Sequence, residues 1–305
     1  MQLSIIICSY NRANYIGEAL TALYNQTASL DQFEVFIIDN NSTDNTPNVF
    51  QQWRSEHPDG KFEYSTETKQ GASFARNTGA RLASTSWLCF IDDDAIASPH
   101  YVENVIKHTQ DQPFIVGFGG KIIPKYIPSE PKWMSYYVSS LVGNFDYAPN
   151  ACAFENGKYP LESNMIVAKK VFDQVGGFNE AIPGVVGTLR IGGEGKELFY
   201  KIMALDHTIY YDPNIMVHHV VEVSKLTPEY LYRVASGIGR GERSRTKAIS
   251  SINYFKKVFE YLLKLGAAIV LGIKYALVGT PAKTMPVIQF RIDALKGLLL
   301  SLIHI

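Results

Sequence analysis

The sequence predicts an α/β protein with a Rossmann-like central sheet that is mixed but mostly parallel, flanked by helices and followed by a C-terminal helical extension. Two observations lead to this fold class. Short apolar, β-rich runs alternate with helical patterns between Leu3 and Ile91, and such alternation is typical of a parallel sheet covered by helices. Polar residues also follow directly after several of these runs, at the strand ends where such sheets bind ligands.

The predicted strands of the first half are apolar runs bounded by polar loops. They lie at Leu3 to Cys8, Phe33 to Ile38, Phe62 to Ser65, Trp87 to Ile91 and Phe114 to Ile123. A helix is expected after the first of them, because Ile16, Leu20 and Leu23 recur at helical spacing. Later segments predict a short strand and a helix in 161–178, a mobile glycine-rich loop in 184–196, a helix in 194–205 and a last strand in 215–221.

Composition excludes some classes of protein. The 305 residues carry equal numbers of acidic and basic side chains, which argues against a nucleic-acid-binding protein. The cysteines Cys8, Cys89 and Cys152 form no CxxC pair, so we expect core residues in a reducing compartment and no disulfide framework or zinc site. The opening MQLSIIICSYNR predicts a first strand and not a signal peptide. We therefore expect a cytoplasmic protein.

Three consecutive carboxylates, Asp92 to Asp94, follow the buried run Trp87 to Ile91. Carboxylates clustered at a strand end repel one another and lose hydration, so a cation or hydrogen-bond donors must gather there. A divalent metal ion would meet this need, and the alternative is an acidic, solvated turn before the next helix. Asn11 and Asp39 are predicted at the ends of other strands, and this coincidence favours a ligand site.

The chain is predicted to divide into a domain of residues 1–224 and an extension of residues 225–305. The segment from Lys225 to Lys257 is basic, which predicts either a solvated helix face or contact with phosphate groups. From Tyr254 onward the pattern is helical and apolar, but lysines interrupt it and leave fewer than the roughly 20 apolar residues that a membrane span needs. We expect peripheral membrane contact through residues 254–305, with packing inside the chain or in a homodimer as the alternative.

Seven stretches resemble, in order, the motifs of the family 2 glycosyltransferases, which are inverting enzymes with the glycosyltransferase A-type fold. They are SIIICSYNR, VFIIDNNSTDNT, KQGASFARNTGA, WLCFIDDDA, LESNMIVAKKVFDQVGGFNE, GGEGKELFYKI and VHHV, and together they cover about residues 1–222. The resemblance implies a nucleotide-binding half in about 1–123 and an acceptor and base half in 124–224. It also implies a nucleotide-sugar donor.

The family's D-x-D pattern maps onto Asp92 and Asp94. By this resemblance Asp94 ligates Mn²⁺ or Mg²⁺ and Asp92 faces the ribose, while His218 matches a histidine that reaches the metal or the diphosphate in some members. His219 is the neighbour to test beside His218, and a structural role at the strand end is the alternative to ligation. Asp39 matches the residue that recognises the nucleobase, and a carboxylate there suits the ring N–H of uracil. A UDP-sugar is therefore the expected donor, with GDP and dTDP as alternatives. The other implied nucleotide contacts are Ser9, Asn11 and Arg76.

The family's general base is an aspartate that opens a helix, in a pattern like GED-x-[DE]-L. The corresponding residues here are GGEGKEL, so Gly195 stands at the aspartate position. A carboxylate is still expected to remove the acceptor's proton. Glu194 is the candidate base, and Glu197, one turn further along the helix, is the weaker alternative.

The resemblance implies a metal-dependent inverting glycosyltransferase of surface polysaccharide assembly, acting on a saccharide or polyprenyl-linked acceptor at the inner face of the plasma membrane. Two other functions stay open. A sugar-nucleotide-binding protein with weak or no transferase activity would explain Gly195. Nucleotidyl transfer would also place carboxylates and a metal on an α/β sheet, but SYNRANYIGEAL lacks the expected glycine-rich basic phosphate loop.

Overall fold

The computed structural model describes residues 1–112, 114–186 and 189–300. Its strands are β1 (Leu3–Ser9), β2 (Phe33–Asp39), β3 (Lys61–Thr66), β4 (Trp87–Asp92), β5 (Ala95–Ala97), β6 (Gly117–Ile127), β7 (Cys152–Ala153), β8 (Asn164–Ala168), β9 (Gly184–Val186), β10 (Leu189–Ile191) and β11 (Tyr210–Glu222). Its α-helices are α1 (Ile16–Tyr24), α2 (Thr46–Glu56), α3 (Ala72–Leu82), α4 (Tyr101–Asp111), α5 (Tyr136–Ser139), α6 (Lys169–Gln174), α7 (Glu194–Met203), α8 (Pro228–Ile249), α9 (Ser251–Leu277) and α10 (Thr284–Leu299). The end of the predicted C-terminal segment, 301–305, lies outside the described residues.

The chain folds into two compact units. The first unit consists of Met1–Ile123, Phe145–Pro183 and Glu194–Val220, and the second of Pro124–Asn144, Gly184–Gly193 and Val221–Ile305. The sequence predicts a catalytic domain that ends at residue 224 and an extension that follows it. This division is by activity, and it stays a prediction.

A nine-stranded sheet carries the core of the first unit. Its order is β3-β2-β1-β4-β8-β6-β11-β5, with β7 paired to β11. Strands β1 to β4 pair in parallel, whereas β8 runs antiparallel to β4 and β6, and β11 runs antiparallel to β5 and β7. The predicted mixed, mostly parallel sheet flanked by helices is confirmed.

Apolar side chains cover both faces of this sheet, so its central strands are apolar at nearly every position. One face packs on side chains such as Leu20 of α1, Phe50 of α2 and Val102 of α4. The other packs on Ala75 of α3, Phe172 of α6 and Leu198 of α7. The helices therefore lie on both faces of the sheet, as the sequence pattern predicts.

Helix α3 lies very close to the sheet because it has a glycine where it crosses β1. A Cβ atom placed on Gly79 would lie 2.4 Å from Ile6 Cγ2 and 3.2 Å from Ile38 Cγ1. Real side chains do not approach so closely, so any larger residue would push the helix away. The small residues of this helix let it carry Arg76 close to the sheet.

A buried carboxylate ties β2 to its neighbours. Glu34 is fully buried, and its oxygens accept hydrogen bonds from Ser4 Oγ at 2.6 Å and from the Ser84 amide at 2.7 Å. Lys61 pairs with the same carboxylate. Burial alone would raise the pKa of Glu34, but the hydrogen bonds from Lys61, Ser4 and Ser84 outweigh it and lower that pKa below its ordinary value.

We predict that Glu34→Gln lowers the free energy of unfolding by about 1–3 kcal/mol, because a buried charge-assisted network loses its acceptor. Since the native pKa is lowered, the contribution is complete above the ordinary glutamate pKa of about 4.3 and is lost as the pH falls through the native value. Urea unfolding between pH 7 and pH 3 measures both effects. Glu155→Gln, at an exposed position of the same unit, is the control and changes the stability by less than about 0.5 kcal/mol at every pH.

Three helices, α8, α9 and α10, carry the core of the second unit. Their buried side chains include Val234, Tyr261 and Phe290. Helices α8 and α10 approach through glycines: a Cβ on Gly239 would lie 2.0 Å from the Ala294 carbonyl oxygen, and a Cβ on Gly297 would lie 2.0 Å from that of Ser236. Backbone therefore packs on backbone where the two helices meet.

The basic segment of the second unit is partly used inside the fold. Arg243 donates to the carbonyls of Leu298 and Leu299 at 3.1 and 2.9 Å, at the end of α10, where a cation is favourable. Arg245 pairs with Glu242 at 2.7 Å. These arginines stabilise the helical core, and the predicted phosphate contact of this segment stays a prediction.

Helix α9 exposes an apolar stripe, defined as Ile252, Phe255, Phe259, Leu263, Val270, Ile273 and Leu277. Each of these side chains is more than half exposed, and their spacing of three, four or seven residues places them on one face of the helix. Among the described residues, no helix is both long and apolar enough to cross a membrane.

The second unit also contains a cavity of about 940 Å³. Its walls are mainly apolar and include Trp133, Leu141, Leu231, Met285 and Phe290.

The glycine-rich segment 184–196, expected to be a mobile loop, contains regular structure instead. Strands β9 and β10 pair in antiparallel fashion, with Val186 opposite Leu189, and α7 begins at Glu194. The sequence signal for these strands was the set of β-branched and aliphatic residues Val185, Val186, Leu189 and Ile191. The glycines around them favoured the prediction of a loop. Residues 187 and 188 lie outside the described part of the chain.

Candidate active site

Three parallel strands end side by side in polar residues. The pairing register places Ser9 of β1 opposite Asp39 of β2, and Cys8 of β1 opposite Asp92 of β4. Parallel strands present their carboxyl ends at one edge of the sheet, so the polar residues that follow β1, β2 and β4 meet there. The sequence pattern placed these residues at strand ends, and the register brings them together.

Two of the three aspartates meet a histidine at this edge. Ligand atoms of Asp92, Asp94 and His219 lie within 4.8 Å of one another, and His219 Nε2 is 3.0 Å from Asp94 Oδ1. The backbone fixes this approach, because β11 pairs with β5 with His219 opposite Ala95 and the Val220 amide donates to the Asp94 carbonyl at 2.8 Å.

His218, the predicted metal ligand, is not a member of this group. Successive residues of a strand point to opposite faces of the sheet, so only one of the two adjacent histidines can turn toward the aspartates. His219 is buried and does so, whereas His218 pairs in register with Ile96. Among the described residues, the structure therefore brings His219, and not His218, to the aspartate pair.

The middle aspartate makes a different contact. Asp93 Oδ1 lies 3.3 Å from Arg12 Nε, in the loop after β1. Burial and the neighbouring Asp94 raise the pKa of Asp93 to about 7, although Arg12 opposes the rise. Asp93 thus links the β4 end to the β1 loop and lies outside the group of candidate metal ligands.

Arg76 connects two carboxylates from distant parts of the chain. Its guanidinium lies 3.5 Å from Asp92 Oδ1 and 3.2 Å from Glu194 Oε1, and it stacks over the Phe178 ring at 5.5 Å. Burial alone would lower the pKa of Arg76, but Glu194 and the other surrounding acids raise it above its ordinary value. Arg76 is therefore a permanent buried cation beside the candidate metal ligands.

The candidate base Glu194 opens α7 and is buried. Glu197, the alternative, accepts hydrogen bonds from Asn179 Nδ2 at 2.9 Å and pairs with Lys201 at 3.3 Å. Sequence reasoning missed a third acid, Glu162, which accepts a hydrogen bond from the Gly195 amide at 2.9 Å. Strand β8 runs antiparallel to β4, so the turn before β8 lies beside the aspartates that end β4, and no local sequence pattern indicates this pairing.

The sequence profile described as Glycosyl transferase family 2 matches residues 4–176, more than half of the chain. The chain belongs to glycosyl transferase family 2. Validoxylamine A glucosyltransferase of Streptomyces hygroscopicus subsp. jinggangensis (strain 5008) is 38% identical over 104 residues, 34% of this chain and 24% of that protein. Glucosyl-dolichyl phosphate glucuronosyltransferase of Haloferax volcanii is 25% identical over 183 residues, 59% of this chain and 56% of that protein. The matches thus span about a quarter to just over half of these relatives.

Among solved structures, the mannosyltransferase PcManGT from Pyrobaculum calidifontis, in complex with GDP-Man and Mn²⁺, aligns with a TM-score of 0.66 at 20% identity. The alignment covers 98% of this chain and 87% of that chain. At this level of identity the likeness shows a shared fold.

The donor set of this family 2 chain fits a divalent cation. Asp92 and Asp94 supply carboxylate oxygens, the ligands that Mg²⁺ and Mn²⁺ take, while the imidazole of His219 is a ligand more typical of transition metals. Asp94 and His219 are both buried, so a bound cation would relieve repulsion in a region of low dielectric. The combination suits Mn²⁺ better than Mg²⁺.

The predicted nucleotide contacts Asn11 and Asp39 also hold the loops at this edge. Asn11 adopts a φ of 54°, and its Oδ1 accepts from the Thr43 amide at 2.8 Å. Asp39 accepts from the Ser42 amide at 3.1 Å and so also holds the turn after β2, while its remaining lone pairs can take another donor. Ser9 is buried beside them. The nucleotide roles of all three stay predictions.

We predict that Arg76→Met lowers the free energy of unfolding by about 3 kcal/mol, because the carboxylates that face it would be left without their buried cation. Thermal or urea unfolding measures the change. Arg81→Met, on the same helix with an exposed side chain, is the matched control and changes the stability by less than about 0.5 kcal/mol. Equal stability of the two variants would contradict the role given to Arg76.

Proposed function

We propose that this protein is a metal-dependent, inverting glycosyltransferase with a glycosyltransferase A-type fold, which transfers a sugar from a nucleoside diphosphate to a saccharide or lipid-linked saccharide. One observation carries the proposal: Asp92, Asp94 and His219 converge within 4.8 Å at the strand-end edge, beside the buried cation Arg76. Such a site suits a diphosphate, whose negative charge grows as the sugar leaves.

Asp94 and His219 would hold the cation, with Asp92 either sharing it or facing the ribose. When bound, the cation acts as a Lewis acid that stabilises the leaving diphosphate. Arg76 adds planar N–H donors that suit phosphate oxygens, and its contact with Asp92 at 3.5 Å orients both groups. Ser163 donates its hydroxyl hydrogen to Asp92 Oδ2, which leaves Oδ1 turned toward the arginine.

Mn²⁺ is the proposed cation, and a UDP-sugar is the proposed donor because Asp39 can accept from the ring N–H of uracil. The fold neighbour from Pyrobaculum calidifontis was solved with GDP-Man and Mn²⁺, so GDP-sugars, together with dTDP-sugars, belong in the first test. Asp39 can accept from a guanine N–H as well, and the experiment must decide between these bases.

We predict that Mn²⁺ with one class of nucleotide sugar raises the melting temperature of the wild-type protein and that the nucleoside diphosphate is then released in the presence of acceptor. Asp94→Asn should lose both the Mn²⁺-dependent stabilisation and the release, because a neutral amide replaces a buried ligand. Asp173→Asn, an exposed aspartate on α6, should behave as wild type.

The same experiment tests the alternative, a sugar-nucleotide-binding protein. Wild-type protein that binds a nucleotide sugar with Mn²⁺ but releases no nucleoside diphosphate with any acceptor would support the binder. Mn²⁺-dependent binding that survives in Asp94→Asn would contradict the metal site.

The acceptor is proposed to be carried on a polyprenyl phosphate at the inner face of the plasma membrane, in the assembly of a surface polysaccharide. The Haloferax volcanii relative is named as a glucosyl-dolichyl phosphate glucuronosyltransferase. In the second unit, the apolar cavity lined by Trp133, Leu231 and Phe290 can take part of a prenyl chain. The apolar stripe of α9 is flanked by Lys256 and Lys274, each exposed and four residues beyond a stripe residue, and these charges complement an anionic lipid surface.

We predict that the protein floats with vesicles containing anionic lipid and that Phe259→Asp on the stripe reduces the bound fraction at least several-fold. Phe114→Asp, which changes an even more exposed phenylalanine of the first unit, should float as wild type. A wild-type protein that stays off the vesicles and forms a dimer dissociated by Phe259→Asp would show that a second copy, and not lipid, covers the stripe.

A further inference from the structure

Glu162 lies next to the proposed site. It occupies the turn before β8, directly before Ser163, whose hydroxyl binds Asp92. Its side chain is half-buried, and Oε1 accepts from the Gly195 amide at 2.9 Å, in the first turn of α7. The Gly195 amide therefore holds one oxygen of the carboxylate, and the side chain keeps part of its surface exposed.

The first turn of α7 leaves room for the Glu162 carboxylate because residue 195 is a glycine. A Cβ atom on Gly195 would lie 2.7 Å from Glu162 Oε1 and 2.9 Å from Glu162 Cδ. The carboxyl group of residue 162 thus fills the space in which a side chain at position 195 would begin. Glycine at 195 leaves this space free for an acid that comes from another part of the chain.

Glu162 and Glu194 differ in their electrostatic surroundings. Glu194 pairs with Arg76 at 3.2 Å, so an oxygen of that carboxylate is already engaged by a buried cation. Burial and the negative charge of Glu194 raise the pKa of Glu162, while Arg76 and the Gly195 amide oppose the rise. A carboxylate with a raised pKa takes a proton more readily near neutral pH.

We propose that Glu162 is the general base of the transfer reaction, an assignment that rests on the proposed glycosyltransferase function. As the acceptor oxygen forms its bond to the anomeric carbon, its proton passes to Glu162 Oε2, because Oε1 is occupied by the Gly195 amide. The bond between the anomeric carbon and the diphosphate oxygen breaks, and its electron pair leaves with the nucleoside diphosphate. Glu194 then acts as a positioning residue that orients Arg76.

Glu162→Gln tests this assignment because glutamine keeps the acceptor for the Gly195 amide but cannot take the proton. We expect kcat to fall about 100- to 10,000-fold, with the melting temperature and the affinity for Mn²⁺ and the nucleoside diphosphate unchanged. Glu155→Gln, an exposed glutamate of the same unit, is the control and keeps the wild-type kcat. A Glu162→Gln protein with wild-type kcat overturns the proposal.

Two further variants separate Glu162 from its neighbours. Gly195→Ala displaces the Glu162 carboxylate without removing it, and alanine is the better helix former, so a lower kcat at unchanged stability supports the proposal. Glu194→Gln should alter donor affinity through Arg76 more than kcat. If Glu194→Gln loses kcat by the factor expected for Glu162→Gln while Glu162→Gln does not, Glu194 is the base.

The proposed function can fail separately from this assignment. Wild-type protein without turnover contradicts the transferase and the base assignment with it. Wild-type turnover that Glu162→Gln leaves intact contradicts the base assignment alone.

Discussion

The contact of Arg76 with two acids is the interaction on which the candidate site depends. Asp92 ends a strand, Glu194 opens a helix more than a hundred residues later, and Arg76 lies within 3.5 Å of both. Carboxylates gathered in a partly buried region would otherwise repel one another or bind protons. A guanidinium can meet both because its N–H groups point in several directions in one plane.

The position of Arg76 depends in turn on local packing. Gly79, three residues further along α3, lets the helix lie against Ile6 and Ile38, and a helix held further from the sheet would carry the guanidinium away from the strand ends. The position of the Arg76 guanidinium therefore depends on Gly79. Gly79 is thus needed for the close approach of α3 to the sheet.

Hydrophobic patterns in the sequence predicted the strands whose positions depend on the local sequence. The strands β1, β2 and β4 agree with the predicted runs to within one residue at each end, because strands buried on both faces are apolar at nearly every position. The His218 assignment depends on which face of β11 turns toward Asp94, and that is fixed by pairing with β5. The position of Glu162 beside the candidate site depends on the antiparallel pairing of β8 with β4. Neither pairing has a local signature in the sequence.

Position 195 is a glycine where the family pattern that the sequence resembles has an aspartate. In space, the carboxyl group of Glu162 fills the volume next to that glycine and accepts its amide hydrogen. The N-terminus of a helix stabilises a nearby negative charge, whichever segment of the chain carries that charge. An acid beside the N-terminus of α7 can therefore come from any part of the sequence. Glycine at position 195 thus leaves room for the Glu162 carboxyl group in its present position, and a side chain at 195 would displace that group.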